Sequence, residues 1–76
     1  MDFERIFNQH QDRVFAYCYS MTGVRAEAED AAQETFLRAW RALREWDADR
    51  REALNEGAWL HKIALNVVRN RVRATA

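Results

Sequence analysis

The sequence predicts an all-α domain built as a small three-helix bundle. Prolines are absent and glycines number two in 76 residues, so the chain holds almost no residue that stops a helix. Apolar residues recur at intervals of three and four, which is the spacing of one helical face. A chain of this length holds one hydrophobic core, and its 49% apolar and 32% charged residues are typical of a folded domain. We therefore expect residues 1–76 to form a single domain.

The first helix is predicted from Phe3 to about Thr22. Gly23 follows, and glycine is the residue that most easily takes the left-handed conformation after a helix C-terminus. The predicted buried stripe of this helix consists of Phe3, Ile6, Phe7, His10, Val14, Tyr17, Cys18 and Met21.

The second helix is predicted over about 25–45. Its first turns hold Glu27, Glu29 and Asp30, which the positive end of the helix dipole favours. Its apolar face carries Ala28, Ala32, Phe36, Ala39 and Leu43, with Trp40 beside them. We assign Phe36, Trp40 and the following Trp46 to the core.

Apolar residues do not recur at helical spacing within residues 47–56, which predicts a polar connection between the second and the last helix. Asp49, with Glu52 three positions later, is a candidate cap for a short extra helical turn. The last helix is predicted from Gly57 or Ala58 to Arg73, and its buried stripe is Leu60, Ile63, Ala64 and Val67.

The composition argues against an enzyme, a metal protein and a cofactor protein. Cys18 is the single cysteine, and with only His10 and His61 beside it no zinc-ligand spacing exists. No Ser/His/Asp set, glycine-rich phosphate loop or pair of carboxylates in a cleft can be assembled, and a bundle this small offers no deep pocket. We expect no catalysis and no cofactor.

The chain also lacks the patterns of a membrane or secreted protein. No apolar run is long enough to span a bilayer. Asp2 and Glu4 stand where a secretory signal would carry basic residues. We expect a cytoplasmic protein without a membrane partner.

The charges are sorted along the chain, although their sum is zero. Residues 1–34 hold three arginines against seven carboxylates, a net of −4, so the remainder is +4. Residues 57–76 hold four basic side chains and no acid. Two differently charged surfaces suggest two different partners.

One side of the second helix carries an acid, amide and leucine stripe, opposite its alanine face. One interpretation is a solvated face with ion pairs along the helix, such as that between Glu34 and Arg38. A docking face for a basic helical partner is the other, and an exposed leucine ringed by polar groups favours it. The stripe consists of Asp30, Gln33, Glu34, Leu37 and Arg41.

The last helix carries polar and aromatic groups within a wedge of about 100° that faces away from the predicted core. Basic groups neutralise phosphates, amides bind base edges and an indole stacks on an unpaired base, so a nucleic-acid surface is one interpretation. The other is that the cations complement the helix dipole and the tryptophan anchors the core. The wedge consists of Trp59, Lys62, Asn66, Arg69, Asn70 and Arg73.

Three stretches together closely resemble region 2 of bacterial sigma factors of the extracytoplasmic-function (ECF) group, in the sigma-70 family. They are Met21-Thr22-Gly23, the run EDAAQETFLRAW over 29–40, and AWLHKIALN over 58–66. The two longer strings, about twenty residues apart, are specific, and the resemblance covers nearly the whole chain.

The resemblance implies a non-enzymatic adaptor of transcription initiation. In that family the second helix docks on the clamp helices of the polymerase β′ subunit, which implies that role for Asp30, Gln33, Glu34 and Leu37; we place Arg41, on the same stripe, in that site. The loop before the last helix and the helix itself open the promoter −10 element and hold a flipped base of the non-template strand. This implies DNA binding by Trp59, Lys62, Asn66, Arg69 and Asn70, to which we add Arg73, and a base-capturing role for 47–56.

The resemblance also implies what lies outside these residues. The family's helix-turn-helix domain, which reads the −35 element, has no counterpart here, so we expect an isolated domain of a longer protein. An alternative function stays open, in which the bundle is a protein-interaction module that binds an anti-sigma regulator without productive DNA contact.

Overall fold

In the computed structural model, which describes residues 3–75 and their side chains from 3 to 73, the chain forms four helices. They are α1 (Phe3–Thr22), α2 (Arg25–Glu45), α3 (Ala48–Glu52) and α4 (Glu56–Thr75). The three long helices pack against one another and the short α3 lies in the connection before α4. The predicted all-α three-helix bundle with a short extra helix is confirmed.

The turn between α1 and α2 depends on Gly23. Its φ is +69°, and its N–H donates to the carbonyl of Tyr19 at 2.8 Å, which closes the end of α1. The N–H of Val24 then donates to the Thr22 hydroxyl at 3.3 Å. Because the turn is only two residues long, α1 and α2 are neighbours that run in opposite directions.

The core lies where α1, α2 and α4 meet. Small side chains of α2 and α4 are fully buried and let the helices approach closely, while Leu43 and Leu60 fill the space between them. Thr35 is buried as well, and its hydroxyl donates to the carbonyl of Ala31 at 2.8 Å, so the polar group is satisfied within its own helix. The buried apolar residues are Ile6, Val14, Cys18, Ala28, Ala31, Phe36, Ala39, Leu43, Leu60, Ala64, Val67 and Val68.

For two residues, the prediction that they lie in the core is wrong. Phe7 is 36% exposed and Trp40 is 38% exposed. Both lie on the outer side of the seam between α1 and α2, whereas α4 packs on the other side, so no third helix covers them. Trp46 is half-buried and packs against the core.

The short helix α3 begins after Asp47, whose carboxylate accepts the N–H of Arg50 at 2.8 Å. The prediction that Asp49 caps this helix is therefore wrong, because Asp49 already lies inside the first turn of α3.

Within the described residues, no helix combines the length and the apolarity needed to cross a bilayer.

We predict that Gly23→Ala lowers the free energy of unfolding by about 1 kcal/mol, measured by urea denaturation, because an alanine pays a steric penalty at positive φ. No atom lies within 4 Å of the Cβ that the substitution adds, so backbone conformation alone causes the loss. Gly57→Ala is the matched control: Gly57 is helical, its added Cβ has ordinary contacts at 4.0 Å, and we expect no loss of stability. Equal stabilities of wild type and Gly23→Ala would refute this account of the turn.

Candidate functional site

The acid, amide and leucine stripe of α2 lies on one surface that faces away from the core. Asp30, Gln33, Leu37 and Arg41 are exposed, and Leu37 keeps 42% of its surface in solvent. Glu34 is half-buried; its Oε1 lies 3.4 Å from the Nε of Arg38, which is a long and weak pair on the helix surface. The structure therefore brings all five predicted residues onto one face.

A shallow apolar groove borders this stripe, along the seam between α1 and α2. Phe3 and Phe7 come from α1, and the ring of Phe7 packs edge-on against Phe36 with 4.9 Å between centroids. Sequence reasoning missed the groove because it assigned its aromatic residues to the core. We call this surface the seam groove; it is lined by Phe3, Phe7, Gln33, Phe36, Leu37 and Trp40.

The polar wedge of α4 also faces solvent as predicted. Its polar members are Lys62, Asn66, Arg69, Asn70 and Arg73, all of which are exposed.

Trp59 lies at the border between the wedge and the core. It is half-buried and packs against Trp46, with 5.0 Å between ring centroids and 46° between ring planes. The guanidinium of Arg50 also contacts Trp46 and lies 4.0 Å from its ring centroid. Trp59 thus rests on Trp46, the residue that directly follows α2, and does not stand alone on α4.

The segment between α2 and α4 is held at both ends. At the first end, Nη1 of Arg51 donates to the carbonyl of Leu43 at 3.1 Å, which ties α3 to the last turn of α2. At the other end, Oδ1 of Asn55 accepts the N–H of Ala58 at 3.2 Å and caps α4. The sequence could have indicated this cap, because an asparagine here directly precedes a run of apolar residues at helical spacing.

Glu56, the first residue of α4, joins the far end of this segment to α1. Its Oε2 accepts from Nη2 of Arg5 at 2.6 Å, and its Oε1 lies 3.1 Å from Nε2 of His10. The hydrogen bond from Arg5 lowers the pKa of Glu56, and the contact with His10 acts in the same direction. These residues lie 51 and 46 positions apart, so no local pattern in the sequence predicts the cluster.

Cys18 is a core residue. It is fully buried, and burial raises the pKa of its thiol although the charge of Arg71 opposes the shift. Within residues 3–75, no three His, Cys, Asp or Glu side chains are grouped so as to hold a metal ion.

We predict that Glu56→Gln lowers the free energy of unfolding by up to about 1 kcal/mol at neutral pH, because it removes the carboxylate charge that pairs with Arg5, whose side chain is 49% exposed so that solvent screens the pair in part. A carboxyl group whose folded pKa is depressed stabilises the fold above its unfolded value of 4.5, and the contribution is lost as pH falls through the lower folded pKa. The difference between variant and wild type should therefore shrink in acid.

The measurement is urea denaturation followed by circular dichroism at several pH values from neutral to acid. Glu29→Gln is the matched control, because Glu29 pairs with Arg25 on the surface of a single helix and its side chain is 52% exposed. We expect at most about 0.5 kcal/mol for the control. A difference for Glu56→Gln that stays constant with pH would contradict the assignment.

The chain matches the family model described as "Sigma-70 region 2" over residues 6–76. It is 37% identical over 71 residues to the ECF RNA polymerase sigma factor SigW of Bacillus subtilis, an alignment that covers 93% of this chain and 36% of SigW. It is 38% identical over 73 residues to the ECF RNA polymerase sigma factor BldN of Streptomyces coelicolor, covering 96% of this chain and 26% of BldN.

A third relative is the ECF RNA polymerase sigma factor SigE of Mycolicibacterium smegmatis, 34% identical over 70 residues that cover 92% of this chain and 25% of SigE. The chain thus spans between a quarter and just over a third of the length of these relatives. No solved structure matches it significantly.

Proposed function

The chain belongs to the sigma-70 region 2 family, in the ECF group of sigma factors, and on that basis we propose that it is a specificity domain of transcription initiation. In this proposal α2 binds the clamp helices of the β′ subunit of core RNA polymerase, and α4 binds the −10 element of promoter DNA as a single strand. The domain acts by binding, without catalysis. The observation that carries the proposal is that Asp30, Gln33 and Leu37, which belong to the family's motif on α2, are exposed on a face that no other helix of the bundle covers.

The α2 face has the chemistry of a protein interface. Leu37 supplies an apolar centre and the neighbouring seam groove extends it, while Asp30 and Gln33 supply a polar rim. Asp30 has no ion-pair partner among the described residues, so its charge is available to a basic helix. A solvated face needs no exposed leucine beside an aromatic groove, which is why we favour docking over that interpretation.

The α4 face has the chemistry of a nucleic-acid interface. Lys62, Arg69 and Arg73 are exposed cations suited to phosphates, and Asn66 offers an amide to a base edge. Trp59 presents the rim of an indole pair at the border of this face, where an unpaired base can stack. The tethered segment 47–55 lies beside that pair and is our candidate for the base-capturing loop.

A domain of this kind opens a promoter by binding bases that have already left the DNA duplex. A flipped base stays out of the duplex when a protein site offers stacking and hydrogen bonds that repay the lost pairing and stacking, a few kcal/mol in magnitude. Fixed cations along α4 hold the backbone of the same strand in place. Docking of α2 on the polymerase would bring this site to the promoter, which gives the two faces distinct and complementary tasks.

We predict that Asp30→Lys and Glu34→Lys each abolish binding to a β′ clamp-helix fragment and leave the helicity of the chain unchanged, because charge reversal places like charges across the interface. Leu37→Ala should weaken binding by about 1 to 2 kcal/mol through lost apolar contact. Isothermal titration and circular dichroism measure the two properties. Asp49→Lys, the same charge change on exposed α3, is the control, and unaltered affinity in both α2 variants would refute the docking site.

We predict that Asn66→Ala reduces discrimination between matched and mismatched −10 strands by about 1 to 3 kcal/mol with little change in salt slope. Arg69→Ala should weaken all sequences alike and flatten the salt slope by about one unit, because one phosphate contact is lost. Fluorescence anisotropy of labelled single strands, with the domain bound to core polymerase, measures both quantities.

These measurements, together with the salt dependence of the wild type, also separate the alternatives. Unchanged selectivity in Asn66→Ala would move base reading to the 47–55 segment. Binding that shows no salt dependence in the wild type would favour a module that binds an anti-sigma regulator without productive DNA contact.

A further inference from the structure

The segment 47–55 lies over a cleft and does not pack closely on the bundle. The cleft has a volume of about 380 Å³ and is lined by residues of α1, α2, α3 and the start of α4, among them Arg5, Ile6 and Arg51. Helix α3 buries no residue, and Leu54 behind it is only half-buried. Apolar packing therefore fixes this segment weakly, and its position depends on the polar contacts at its two ends.

The two ends of the segment are held by different parts of the chain. At the first end, the contact of Arg51 with the carbonyl of Leu43 spans eight positions and joins neighbouring elements. At the second end, Glu56 directly follows Asn55 and contacts Arg5 of α1 across 51 positions. The second contact thus ties the segment to a helix that is distant in the sequence.

The contact with α1 has the geometry of a fork. Nη2 of Arg5 donates to Oε2 of Glu56 at 2.6 Å, and Nη1 donates to Oε1 at 3.3 Å. Nη1 also donates to Oε1 of Gln9 at 2.8 Å, which holds the guanidinium against its own helix. Because the guanidinium is planar and meets both carboxylate oxygens, it fixes the direction of the Glu56 side chain as well as its distance.

His10 contacts the same carboxylate from the following turn of α1. Its Nε2 lies 3.1 Å from Oε1 of Glu56, and the His10 side chain is 12% exposed. Both oxygens of Glu56 are thus bound to side chains of α1, which makes the first turn of α4 a fixed point relative to α1.

We propose that Arg5 is a positioning residue for base recognition: through its fork on Glu56 it holds the junction of the segment 47–55 with α4 in place, and so determines how well the domain distinguishes −10 sequences. The inference rests on the proposed function, in which this segment captures a base beside Trp59. Arg5 acts through Glu56 and needs no contact of its own with DNA.

The physical reason is the cost of ordering a site at the moment of binding. A site that already has its binding geometry loses little entropy when it takes up a base, and it keeps its hydrogen-bonding groups where the matching base satisfies them. When the junction with α4 is released, part of the binding free energy is used to order the segment. The matching base loses most, because its contacts depend on the placement of those groups, and discrimination falls.

Substitution of Arg5 tests the proposal. In Arg5→Gln we expect the ratio of affinities for matched and mismatched −10 strands to fall about fivefold, with the salt slope unchanged because no phosphate contact is lost. Arg5→Lys keeps the charge but cannot donate as a fork, and we expect a smaller loss, about twofold. Fluorescence anisotropy of labelled strands, with the domain bound to core polymerase, measures both quantities.

Arg25→Gln is the matched control. It removes the same charge and breaks the 3.1 Å pair with Glu29 on the surface of α2, next to the turn at the opposite end of the bundle. We expect this variant to discriminate as the wild type does. Circular dichroism at the temperature of the assay checks that every variant is folded, so a loss of discrimination in folded Arg5→Gln is not a loss of the fold.

A double-mutant cycle tests whether Arg5 acts through Glu56. We expect Arg5→Gln and Glu56→Gln each to lower discrimination, and the double variant to be no worse than the poorer single variant. Hydrogen exchange of the amides of 50–54 should also accelerate more in Arg5→Gln than that of amides in the middle of α2. Losses that add in the double variant would overturn the proposed route.

The outcomes separate this inference from the proposed function. Wild-type discrimination in both Arg5 variants would overturn the positioning role and leave the function standing. Weaker binding of all strands alike, with a flatter salt slope, would mean that Arg5 contacts a phosphate and would also overturn that role. A wild-type domain that does not distinguish matched from mismatched strands would overturn both.

Discussion

The burial of the alanine face of α2 is the constraint on which the rest of this structure depends. Ala28, Ala31 and Ala39 expose no surface to solvent, because α1 and α4 approach α2 closely on that side. A helix that buries one side in this way leaves its opposite side in solvent. The stripe residues of α2 are therefore exposed as a consequence of core packing, and a bulky residue at any of these alanines would disturb the position of the stripe along with the core.

The segment before α4 illustrates a different way of fixing structure. Helix α3 has no buried residue of its own, so apolar packing does not hold it. Polar contacts hold it instead. Asp47 caps α3, Arg51 ties α3 to α2, and Glu56 ties the beginning of α4 to Arg5. Such tethers are directional and depend on charge, which makes the position of this segment more sensitive to salt than the position of the three long helices.

The two candidate surfaces share the same framework. Trp59 of the α4 surface rests on Trp46, which directly follows α2, and the Glu56 cluster leads from α4 back to α1. Helix α2, which carries the stripe proposed for docking, thus also supports the aromatic part of the surface proposed for nucleic acid. A chain of 76 residues can present two candidate interfaces because each uses the outward side of a helix whose inward side builds the same core.

The sequence by itself determined the three long helices, the turn at Gly23, the exposed stripe of α2 and the wedge of α4, together with the resemblance to the family. These follow from periodicity and from the conformational preference of a single glycine, which are local properties of the chain. Only the tertiary structure decided that Phe7 and Trp40 line an open groove, because their exposure depends on which sides of α1 and α2 the fourth helix covers. It also decided the Glu56 cluster, because Glu56 and Arg5 meet across 51 positions and such pairings depend on how helices pack, which no local pattern encodes.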